Sequence, residues 1–86
     1  MNDYGNFLAM ISTEFHRYLM ENEEFAKKIP ENAIVIFQVG GEDEFNNWHE
    51  ATSLKNREPG QTAVYVYLKK WREHSLIEEA NLEKII

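Results

Sequence analysis

Ala33-Ile34-Val35-Ile36-Phe37-Gln38-Val39 is the stretch that decides the fold, set between Pro30-Glu31-Asn32 and Gly40-Gly41. It is β-branched and almost wholly apolar, without the polar–apolar alternation of a strand that has one wet face. That pattern predicts a strand covered on both sides, as in a parallel sheet. A second strand is predicted at Thr62–Lys69, where Val64, Val66 and Leu68 fall on one face and Ala63, Tyr65 and Tyr67 on the other. Between the two, Glu42 to Asn56 carries Phe45, Trp48, Ala51 or Thr52, and Leu54 or Lys55 at helical spacing. Glu42, Asp43 and Glu44 suit the positive end of that helix, and Glu58-Pro59-Gly60 is a turn. Strand, helix of about four turns, strand predicts a right-handed parallel crossover.

Ahead of this unit, residues 6–21 place Phe7, Ile11, Phe15, Tyr18 and Leu19 at spacings of three and four, with Leu8 widening the stripe. A helix follows whose polar side holds Glu14, Arg17 and Glu21. Asn22 to Ile29 reads as a short second helix, capped by Asn22 and stopped by Pro30. Phe25 and Ile29 would dock it onto the first. The tail, residues 73–86, holds Ser75-Leu76-Ile77-Glu78, a capping-box pattern that predicts a short helix through Leu82. Two parallel strands do not stand alone, so the sheet must be completed by the tail or by a second chain. The expected organisation is one α/β domain over residues 1–86: helical to residue 30, β-α-β over 33–69, and a tail from 70.

Composition narrows the function classes. Eighty-six residues hold one small core, and the absence of cysteine excludes disulfides, thiol catalysis and cysteine-bound metal. The longest apolar run, Ala33 to Phe37, is far too short for a bilayer core of roughly 30 Å, and the first residues lack a signal-peptide pattern. A soluble cytoplasmic protein, with no membrane partner, is the expectation. The net charge is −6, and only residues 61–72 are basic, through Lys69, Lys70 and Arg72. An acidic chain repels nucleic acid. The Lys69-Lys70-Trp71-Arg72 patch is therefore read as neutralised by the acidic tail or a neighbouring subunit rather than as a nucleic-acid contact, and the negative charge as serving solubility or, alternatively, a basic protein partner.

No constellation for catalysis stands out. Gly40-Gly41 lies between strand and helix, where open α/β sheets bind ligands, but Glu42, Asp43 and Glu44 follow it and would repel a phosphate. These five residues form a candidate ligand loop, with the acids as hard-oxygen donors that diverge along a helix start. His49-Glu50 opens an HExxH pattern that fails at Ser53. Thr13, Asn46 and Trp71 stand three residues before the three histidines, where a di-iron site needs acids. His16 and His49 read as part-buried residues at helix margins. Neither a cofactor nor a metal site is expected. Tyr65, Tyr67 and Trp71 line one side of the second strand, either as core or as a homodimer patch, and a dimer is the favoured state.

Several blocks taken together resemble a family of short, acidic prokaryotic proteins of unknown function. They are Phe7-Leu8, Glu14-Phe15-His16-Arg17-Tyr18-Leu19, Asn22 through Pro30, the apolar strand with its acidic successor, and Thr62 to Lys69. Glu24-Phe25-Ala26-Lys27-Lys28-Ile29-Pro30 is the most specific of these blocks. The resemblance implies the helix–strand–helix–strand order and a bacterial or archaeal cytoplasmic protein, but no activity and no site residues. The functional expectation is an interaction or accessory module without catalysis. The alternative is a small ligand- or metal-binding protein or enzyme with its pocket at Gly40–Glu44.

Overall fold

A computed structural model of the chain describes residues 4–71 and 77–86, with side chains described for residues 4–68 and 80–86. The elements are α1 (Tyr4–Glu21), α2 (Glu23–Ala26), β1 (Ile34–Val39), α3 (Asp43–Lys55), β2 (Ala63–Trp71) and β3 (Ile77–Ile85). The sheet runs in the order β1-β2-β3. β1 and β2 are parallel, in a register that sets Ile34 beside Ala63 and Val39 beside Leu68. β-α-β is thus the backbone of an α/β fold, as the two strand patterns predict.

The tail departs from expectation. Residues 77–85 form a strand antiparallel to β2, not a helix. Ser75, the cap of the expected helix, lies outside the described residues. Local capping chemistry is a matter of tenths to a couple of kcal/mol, whereas β2 without β3 would leave a long row of backbone groups unpaired. The ladder prevails. Ala80 and Leu82 join the core across β2, and Ile86 exchanges backbone hydrogen bonds with Ala63 at 2.7 and 2.8 Å. The sheet is therefore completed within the chain.

One face of the sheet carries Val35, Phe37, Val39, Val64, Val66 and Leu68 beneath α1. Ile11 and Phe15 are the buried residues of α1, and Phe15 meets Phe37 edge-to-face at 5.1 Å between ring centres. Fully burying each such side chain contributes roughly 1.5–3 kcal/mol. α2 hangs on α1 through Phe25, whose ring stands nearly perpendicular to those of Phe15 and Tyr18. Asn22 makes no side-chain cap on α2; its Nδ2 donates back to the Tyr18 carbonyl at 2.8 Å and so finishes α1. The opposite face holds a smaller cluster of Ile36, Ala63 and Tyr65, with Ile34 and Leu54 against it.

α3 runs along the free edge of β1 and reaches both faces of the sheet. In β1 the even-numbered residues bond to β2, as Ile34 N–H to the Thr62 carbonyl shows, so the odd-numbered ones present N–H and C=O outward. Asn46 of α3 meets Val39 there, accepting its N–H and donating to its carbonyl. The first half of α3 turns Phe45 and His49 toward α1, while Glu50 and Leu54 reach the Tyr65 cluster.

Candidate functional site

The expected ligand loop is a tight turn with a reason for each glycine. Gly41 adopts φ +84°, which side-chain-bearing residues rarely adopt, and Glu42 N–H closes the turn onto the Val39 carbonyl at 3.1 Å. Gly40 is pressed by Tyr67, whose hydroxyl would stand 3.0 Å from any Cβ added there. Glu42, Asp43 and Glu44 follow, all exposed, and the Tyr4 hydroxyl donates to Glu44 Oε2 at 3.2 Å. The turn, the acids, Tyr4 and Phe45 border a depression of about 360 Å³. Among the described residues, no three His, Asp or Glu side chains converge as a metal site.

The aromatic row is divided. Tyr65 is buried within the chain, donates its hydroxyl to Glu50 Oε2 at 2.5 Å, and carries the Lys84 ammonium over its ring at 4.4 Å. Burial first, and the Glu50 hydrogen bond second, push its phenol up to about 12. Tyr67 is half-buried beside Gly40, and Trp71 ends β2 with its side chain outside the described residues. The side chains of Lys69 and Lys70, and all of Arg72, fall outside them as well.

A different site emerges between α1, β1 and α3. A groove of about 420 Å³ has walls of Leu8, Phe15, Leu19, Val35 and Phe37. Its polar groups are few: Ser12 and His16 from α1, and His49 from α3. Groove size and lining match the apolar-walled, sparsely polar form of ligand and side-chain pockets. At the α1–α2 corner, Met20 is 71% exposed in a depression lined by Glu21, Glu23, Glu24 and Lys28.

His49 is not the marginal residue the sequence suggests. It is 5% exposed, with its ring nearly parallel to those of Phe37 and Phe45 at 5.7 and 5.5 Å. Nδ1 lies 3.3 Å from Ser53 Oγ, and Nε2 is buried with no hydrogen bond of good geometry among the described residues. Burial holds its pKa below the usual histidine value, opposed by the Val35 backbone. The signal was present in the sequence: Phe45, His49 and Ser53 are spaced i, i+4, so His49 shares the stripe of a core phenylalanine. His16 is exposed.

Residues 3–80 match the model of DUF5647. The chain belongs to this family of unknown function. DUF5647 membership thus takes in α1, α2, the whole β-α-β unit and the start of β3, including every residue that lines the groove. Comparison with curated proteins and with solved structures gives no match.

Proposed function

We propose that the protein is a non-catalytic interaction module whose groove between α1 and β1 receives apolar side chains of a basic, amphipathic segment of another protein. The observation that carries this reading is the groove itself: five apolar walls around three sparse polar groups. Apolar anchors supply affinity in such a site, and the surrounding charge selects and steers a cationic partner. The net charge of −6 acts in the same sense.

The test uses a synthetic Lys/Leu amphipathic helix titrated into ¹⁵N-labelled protein. The expected result is amide shifts concentrated at Leu8, Phe15, Leu19 and Val35, weakening as salt rises, and lost in Ser12→Trp, which fills the groove. Shifts spread over the surface, or unchanged by Ser12→Trp, overturn the reading.

A further inference from the structure

Resting on that reading of the groove, we propose that His49 makes it proton-sensitive: a proton on the imidazole and an apolar occupant of the groove exclude one another. As a neutral ring His49 is accommodated. It stacks on Phe37 and Phe45, and Nδ1 has Ser53 Oγ beside it. A charged ring gives up its hydration in this site: among the described residues, Nε2 is buried with no hydrogen bond of good geometry, and the Val35 backbone is the one polar group that favours the proton.

Among the described residues, the groups that face His49 offer no counter-charge. From its own helix come Phe45, Trp48 and Ser53. From β1 come Phe37 and the Val35 backbone, and across the groove from α1 come Leu8, Ser12, Phe15, Leu19 and His16, the last itself a base. The nearest carboxylate in sequence, Glu50, is engaged by Tyr65 on the other side of the sheet. The phenylalanine faces attract a cation only weakly compared with the hydration it gives up.

A protonated ring therefore has to gain water, and the groove is the open space it lines. Water drawn there removes the apolar volume that an occupant needs. Conversely, an occupant seals the ring from water and makes protonation harder. Linkage requires the two effects to be equal in free energy. Acidification then releases the partner.

The experiment measures the Kd of the fluorescent Lys/Leu helix by anisotropy between about pH 7.5 and 5.5, the range in which histidine charges. For the unmodified protein Kd should rise about threefold or more as pH falls. His49→Phe keeps the stacking, removes the titration, and should bind with a flat profile; His16→Gln should retain the slope. A flat profile in the unmodified protein, an unchanged slope in His49→Phe, or a slope lost in His16→Gln overturns the proposal. No binding at the higher pH overturns the groove reading and this one together, whereas tight binding without a slope overturns this one alone. His49→Gln serves if the phenylalanine variant fails to fold. Independently, an NMR titration of His49 in the unmodified protein should give a lower pKa with the peptide bound than without it; equal values overturn the proposal.

Discussion

Asn46 satisfies both backbone groups of Val39, accepting its N–H on Oδ1 at 2.8 Å and donating Nδ2–H to its carbonyl at 2.9 Å. A single side chain thus does what two residues of a neighbouring strand would do. Asn46→Ala removes two net hydrogen bonds and should lower stability by about 2 kcal/mol in urea unfolding. Asn46→Asp keeps the acceptor but sets a carboxylate against the Val39 carbonyl. It should be no more stable than the alanine variant; full stability in either would show that α3 does not hold this edge.

The Gly40–Gly41 turn separates two kinds of glycine requirement. Gly41→Ala meets a positive φ and should cost about 1–2 kcal/mol whatever surrounds it. Gly40→Ala instead meets the Tyr67 hydroxyl, the far end of a side chain that can yield. Its smaller penalty should shrink further in a Tyr67→Phe background, while that of Gly41→Ala should not. A double-mutant cycle by thermal unfolding checks both.

His49 ties stability to acid. Its folded pKa lies below the unfolded 6.5, so the unfolded chain takes up the proton first. Stability should be intact above about pH 6.5 and fall as pH drops through the folded pKa. His49→Phe should flatten this limb of the profile. A profile of the same shape in both proteins would assign the acid sensitivity to carboxylates instead.

Tyr65 acts at the other extreme. Its folded pKa of about 12 exceeds the ordinary 10.0, so the neutral phenol's contribution is complete below pH 10 and is lost as pH rises toward 12. Absorbance titration should show one tyrosine ionising last, and Tyr65→Phe should remove it. That substitution leaves Glu50 without its donor and should cost about 1–2 kcal/mol at neutral pH.

The β-α-β unit was legible because Ala33–Val39 and Thr62–Lys69 carry strong strand signals and the phenylalanine-bearing helix between them has only one way to connect parallel neighbours. β3 was not. Ser75 and Glu78 present a local helix signal, and only pairing with the otherwise exposed ladder of β2, the strand just before it in the chain, decides otherwise. The same limit applies to the groove. Leu8, Phe15 and Leu19 are plainly an apolar stripe in the sequence, but whether a stripe is fully covered or leaves a cleft depends on how α1 meets Val35 and Phe37. His49 fell between: its place on the Phe45 stripe was readable, and the burial of Nε2 against β1 was not.

The helix lying along β1 has a consequence for how copies of this molecule can associate. A β-structured filament grows by adding units at two opposite borders. Here one border is already occupied by an asparagine belonging to the same polypeptide. At Val39 that border offers an incoming strand no free backbone N–H, which works against continuous lateral stacking.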